Sequence, residues 1–248
     1  MCYHASVGAT YKQLEMEYER PFEGDFPSFS SINEVVGYHL NGFDFPNFPV
    51  ITSEKPNSIQ FHKWGLIPAW ISNFEQANTF RVNTLNAKTE TIFEKPSFKN
   101  SILNKRCLIP ATGFFEWKQE LDKSKTPYYI HLKDQSIFSF AGIFDYWFNP
   151  AENSTYKTFS ILTMPANPLM ETIHNTKKRM PLILTKEQES VWVNLKSTKE
   201  DIQACFLGEL NYKLEAYTIS KLISSKKHPS NVAEVLKPYS YIKPDLFT

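Results

Sequence analysis

Residues 106–118 read RCLIPATGFFEWK. Arg106 to Ile109 and Gly113 to Lys118 are short runs dense in apolar and aromatic side chains, parted by Pro110, Ala111 and Thr112, so the stretch predicts two successive strands. In the second run, period-two alternation puts Phe115 and Trp117 on one face and Phe114 and Glu116 on the other. A carboxylate thus shares a strand with three aromatics. If its face is covered, burial without a partner raises the carboxyl pKa and suits it to proton transfer near neutral pH. If the strand lies at a sheet edge, Glu116 is an ordinary solvated residue, and the pattern leaves both open.

Further strands are predicted on both sides: Pro49 to Ser53, Ser58 to Leu66, Thr126 to Leu132, Ile137 to Phe148, Tyr156 to Thr163, Pro181 to Leu184 and Leu214 to Ile219. Helical patterning covers Thr10 to Arg20 and stops at Pro21. Capping-box starts at Thr185-Lys-Glu-Gln188 and Ser197-Thr-Lys-Glu200 open two more helices. The 16 prolines are scattered through turns, with no Gly/Ser linker or repeat. The expectation is one α+β domain over residues 1–224, β-rich with short flanking helices, and a proline-rich tail over 225–248 packed on that domain.

The 248 residues are 42% apolar and 15% aromatic, enough for a large core, and the net charge of +1 excludes a strongly basic coat. Any nucleic-acid binding must come from a local groove. Three cysteines, Cys2, Cys107 and Cys205, with no C-x-x-C pair, argue against a disulfide framework or a zinc knuckle and point to a reducing compartment. No leader pattern and no run of roughly 18 apolar residues occurs, so a cytoplasmic, soluble protein is expected, with no membrane partner, metal or cofactor.

The chain begins MCYHASVGATY (1–11). Removal of Met1 would leave Cys2 with a free α-amine and a thiol on adjacent carbons, a pair no other position offers; otherwise these residues are a tolerant tail. Other polar groups sit in apolar settings in HKWGLIPAW (62–70), NTLNAKTET (83–91) and IHNTKKRMPLIL (173–184). His174 precedes Lys177, Lys178 and Arg179, which is either a solvated cluster or an imidazole for proton shuttling beside phosphate-holding cations. Asn86 lies in a polar loop with Lys88 and reads equally as a turn asparagine.

In order, Cys2, WGLIP (64–68), NAKTET (86–91), RCLIPATGFFEW (106–117) and a histidine ahead of RMP (179–181) resemble the SRAP family, the SOS response-associated peptidase-like proteins that cross-link abasic sites. The resemblance runs from residue 2 to about residue 220. It implies a mixed, barrel-like, β-rich fold with a groove for single-stranded DNA, a monomer, and nucleoid association when bound to DNA. It also implies a covalent thiazolidine between the N-terminal cysteine and an abasic deoxyribose. Matched by motif, Cys2 is the nucleophile, Asn86 orients the cross-link, Glu116 is the catalytic glutamate and His174 the active-site histidine. His4, Trp64, Lys88 and Arg179 fall at DNA-contact positions. Members often begin M-C-G-R and carry N-A-R-A-E-T; here Tyr3, His4 and Lys88 stand instead, and four residues separate His174 from Arg179 where some relatives have one.

The implied chemistry suits these groups. An α-amine, with a pKa near 7.7–8.0 against about 10.4 for lysine, is the better nucleophile toward the ring-opened aldehyde, and the neighbouring thiol can close onto the same carbon. Trp64 and Trp70 are candidates for stacking on bases, though core packing is the commoner use of such residues. The rival readings share Cys2: a thiol peptidase or autoprocessing hydrolase using Cys2 and His174, a glutamine amidotransferase, or a plain single-strand binder. The amidotransferase pattern is poorly met, because Asn41-Gly42 is followed by Phe43.

Overall fold

The computed structural model describes residues 2–24, 31–207 and 212–241. In chain order the elements are β1 (His4–Thr10), α1 (Tyr11–Tyr18), β2 (Val35–Asn41), β3 (Asn47–Thr52), β4 (Gln60–Trp64), α2 (Phe74–Arg81), β5 (Asn86–Lys88), α3 (Ser101–Asn104), β6 (Arg106–Ala111) and β7 (Gly113–Gln119). They continue with β8 (Lys125–Leu132), β9 (Phe138–Asn149), β10 (Ser154–Pro165), α4 (Pro168–Ile173), β11 (Arg179–Pro181), β12 (Ile183–Leu184), α5 (Lys186–Val193), α6 (Lys199–Leu207) and β13 (Leu214–Thr218).

The strands form two sheets, and the 106–118 stretch crosses from one to the other. β6 belongs to a closed ring, β10-β4-β3-β6-β9 and back to β10, in which every pair is antiparallel except β10 with β4. β5 and β11 extend this barrel along β10, and β12 along β9. β7 belongs instead to a five-stranded sheet of order β13-β8-β7-β1-β2. Thr112 makes the corner: its backbone N–H donates to the Ser6 carbonyl (2.8 Å), and its hydroxyl accepts from the Gly8 N–H (2.8 Å). At Gly113 a Cβ would lie 2.4 Å from the Tyr129 ring, so only glycine lets β7 start this close to β8.

β7 is paired along both edges, and a separate apolar cluster covers each of its faces. Phe114 packs with Ala5, Val7 and Ile130 into the main core shared with the barrel. Phe115 packs with Tyr129 on the outer face, where Ile219, Ile223 and Val235 cover it. Fully burying a phenylalanine is worth about 1.5–3 kcal/mol, so these two residues anchor the strand from both sides. Of the expected tail, 225–241 runs across this outer face: Asn231 Oδ1 accepts from the N–H groups of Tyr38 and His39, and Tyr217 donates its hydroxyl to the Leu236 carbonyl. Met1 and residues 242–248 lie outside the described residues.

The helix starts at Thr10 and Thr185 are true capping boxes with Gln13 and Gln188. The third lies one residue later than the sequence suggests: Thr198 pairs with Asp201, whose shorter side chain reaches back to the Thr198 N–H (2.8 Å), and Ser197 donates to the Val191 carbonyl.

Candidate active site

Cys2 enters the core immediately before β1 and is fully buried, with Sγ 3.7 Å from the His4 carbonyl oxygen. Its thiol pKa is raised, first by burial and then by the nearby Glu116 carboxyl. Tyr3 is fixed behind it: the Gly42 N–H donates to the Tyr3 carbonyl (2.8 Å), and the Tyr3 ring lies 4.9 Å from that of Phe43.

Glu116 is 5% exposed, on the β7 face opposite Phe115, which decides between the two readings of that strand in favour of burial. Burial pushes its pKa up to about 8. His174 caps the C-terminus of α4. Its Nδ1 lies 2.9 Å from the Arg179 carbonyl oxygen and 3.6 Å from Glu116 Oε1. A carbonyl only accepts, so Nδ1 carries the proton and Nε2 keeps a lone pair. Burial lowers the His174 pKa, leaving the ring neutral at pH 7. Two reciprocal hydrogen bonds pin this loop to β7: Asn175 Nδ2 donates to the Gln119 carbonyl (2.9 Å), and the Gln119 N–H donates to Asn175 Oδ1 (3.1 Å).

Glu116 and His174 line a cavity of about 620 Å³ with Tyr3, His4, Trp117, Gln119, Lys125, Thr176, Lys177 and Ser224. Asn86 lies on the strand that extends the barrel along β10 and is not among the residues lining this cavity. It opens β5, a strand where the sequence suggests a polar loop, and pairs with Ile161 of β10. Its side chain is buried, and neither amide atom has a hydrogen-bond partner among the described residues. An unsatisfied buried amide costs about 1–3 kcal/mol, and such a cost is offset when a ligand supplies the bonds.

The expected DNA contacts divide. Lys88 is exposed. Trp64 is fully buried, donating its indole N–H to the Leu85 carbonyl and stacking on Phe159, so it has no face open to a base; Trp70 is 56% exposed. Arg179 is enclosed too. Its guanidinium grips both carboxylate oxygens of Glu90 and donates to the Thr163 carbonyl (2.6 Å), tying the NAKTET and RMP segments across β10. His4 Nδ1 is 2.9 Å from His39 Nε2, and its ring meets Trp117 edge-on. Burial, with His39 beside it, lowers its pKa to about 3, so it offers no charge to a phosphate at neutral pH. His39, Glu90 and Asn175 escape sequence reading because their partners lie 35, 89 and 56 residues away. Among the described residues no cluster of three or more metal-ligating side chains occurs, and no helix is long and apolar enough to cross a membrane.

Residues 1–226 match the family model described as SOS response associated peptidase (SRAP). The abasic site processing protein YoqW of Bacillus subtilis is 40% identical over 182 residues, 73% of this chain and 78% of that one. The abasic site processing protein HMCES of Xenopus tropicalis is 31% identical over 144 residues, 51% of this chain and 42% of that one. A crystal structure of a Bacteroides thetaiotaomicron protein, 39% identical, superposes with a TM-score of 0.87 over 96% of this chain and 100% of that one. A Bordetella bronchiseptica protein at 21% identity shares the fold, with a TM-score of 0.72 over 88% of this chain and 100% of that one. With the family model matched over residues 1–226 and a relative 40% identical over 73% of the chain, the chain belongs to the SRAP family.

Proposed function

We infer that this protein processes abasic sites in single-stranded DNA by cross-linking itself to them through Cys2 after Met1 is removed. The observation that carries the reading is the placement of Cys2 beside a buried, largely protonated Glu116 and a neutral His174. The α-amine attacks the aldehyde carbon, and the carbonyl oxygen takes a proton to give a carbinolamine. Loss of that hydroxyl as water needs a second proton, which Glu116 is poised to give because its pKa lies near the working pH. The thiol then adds across the C=N bond, sulfur to carbon and proton to nitrogen, closing the thiazolidine. His174, with a lone pair on Nε2, assists proton transfer at the sugar oxygen. The unsatisfied Asn86 amide orients the amine. Lys88 meets phosphate, and the exposed Trp70 stacks on a base.

The peptidase alternative is disfavoured by the thiol. A cysteine peptidase works through a thiolate, and burial with a neighbouring carboxyl drives the Cys2 thiol the other way. An amine-first reaction tolerates this, since sulfur is needed only after the imine has formed. The test is to mix the mature protein with single-stranded DNA containing one abasic site. A band that survives denaturing electrophoresis is expected, and its absence would overturn the reading.

A further inference from the structure

The cavity over Glu116 and His174 needs a cation at its mouth if a DNA strand is to deliver an abasic sugar, because the sugar carries a phosphate on each side. Three of the basic positions brought up by the sequence do not serve. His4 is neutral and bonded to His39, Arg179 is committed to Glu90, and Lys178 faces Glu171 at 3.9 Å. Two other lysines line the cavity itself, Lys125 and Lys177. Both are exposed.

Their placement follows from one strand end. Gln119 is the last residue of β7 and pairs on one side with Lys125, the first residue of β8. On its other side β1 has already ended its pairing at Ala5 and Phe114, and the Asn175 side chain occupies the vacant place, making both of its hydrogen bonds to the Gln119 backbone. Lys177, two residues on, is therefore held on the opposite flank of Gln119 from Lys125. Neighbouring strands lie about 4.8 Å apart, so two flexible ammonium groups from these flanks can converge on a single phosphate. The carboxyl beneath them does not quench their charge, because Glu116 holds its proton up to about pH 8.

On the abasic-site reading above, the geometry points to a phosphate clamp: Lys125 and Lys177 hold the phosphate next to the lesion across the cavity mouth, and Asn175 is a positioning residue that sets both Lys177 and His174. The clamp gives this chain a charge that its neutral His4 cannot supply, and it couples strand binding to placement of the active-site imidazole through one short loop.

The experiment measures noncovalent affinity of the full chain for a single strand carrying a reduced, unreactive abasic analogue, with each flanking phosphate in turn replaced by an uncharged methylphosphonate. Lys125→Ala and Lys177→Ala should each weaken binding several-fold, and the double variant should lower the log-log salt slope by about 0.7, the single-strand value for one phosphate contact. One methylphosphonate position should weaken the wild type by a similar factor and the double variant hardly at all. Asn175→Ala should reproduce the Lys177→Ala loss in affinity and, at saturating DNA, slow adduct formation more than Lys177→Ala does, because it also releases His174. Losses that multiply at every phosphate position, or an unchanged salt slope in the double variant, would overturn the clamp. A wild type that binds the analogue with this pattern yet forms no adduct on reactive DNA would overturn the cross-linking reading and leave the clamp supported.

Discussion

The carboxyl of Glu116 stands 3.6 Å from Nδ1 of His174, a nitrogen that already donates to the Arg179 carbonyl. The two are therefore not a conventional ion pair. Burial favours the uncharged form of each, so near pH 7 the site holds a protonated acid beside a neutral base, the complement needed to add a proton to one oxygen and accept one elsewhere.

Glu116→Gln should slow cross-linking by roughly 10²–10⁴-fold, the usual worth of general acid–base catalysis, with little change in noncovalent affinity. The wild-type rate should decline as pH rises through about 8, where the acid loses its proton, and the variant should lack that limb. Single-turnover rates across pH check this, and equal losses in rate and affinity would make the glutamate structural.

The same carboxyl affects stability. Its folded pKa of about 8 exceeds the ordinary 4.5, so between these values the native state binds more protons than the unfolded chain. Stability contributed below pH 4.5 is lost as pH rises to about 8. Glu116→Gln should therefore lose less stability than wild type between pH 5 and pH 9 when denaturant midpoints are compared. Parallel behaviour of the two proteins would show that the carboxyl is solvated.

Glu90 has the opposite sign. The Arg179 hydrogen bonds hold its pKa down at about 2, so the pair stabilises the fold above the ordinary carboxylate range and the effect fades as pH falls toward 2. Arg179→Ala should cost about 1–3 kcal/mol at pH 7, less than a wholly buried pair because the Glu90 side chain is 44% exposed. The difference from wild type should narrow at pH 2; a constant difference would assign the cost to packing alone.

The tryptophans should separate cleanly. Trp64→Ala should destabilise the protein by about 3–5 kcal/mol, as expected for a fully enclosed aromatic. Trp70→Ala should leave the melting temperature nearly unchanged and weaken single-strand binding by about 1–3 kcal/mol, the worth of one stacked base. Loss of stability in the Trp70 variant would contradict its assignment to the surface.

How far the sequence could be read depended on range. The strand at 113–118 and its alternation were visible because period two is a local property, yet whether Glu116 faced solvent depended on distant residues, His174 lying 3.6 Å from its carboxyl and Cys2 near it. The switch of sheets at Thr112 was invisible, since two strands parted by a short break look alike whether they share a sheet or not. Asn86 read as a loop because a three-residue strand pairing in parallel with β10 leaves no periodic trace. Arg179 followed two lysines and so looked like part of a surface cluster, whereas Glu90 and Thr163 draw it inward. The motifs disclosed the family and the candidate chemistry; burial and partner choice, which decide charge state, required the fold.

The central claim is that the cross-link begins at the Cys2 nitrogen. Adding a few residues ahead of Met1 keeps the thiol but converts the α-amine to an amide without a nucleophilic lone pair. The decisive measurement compares tag-free mature protein with this extended form for covalent adduct on abasic single-stranded DNA and for noncovalent binding to the reduced analogue. The account predicts that the extended protein retains binding but forms no adduct. Adduct formation by the extended protein at the wild-type rate would contradict it.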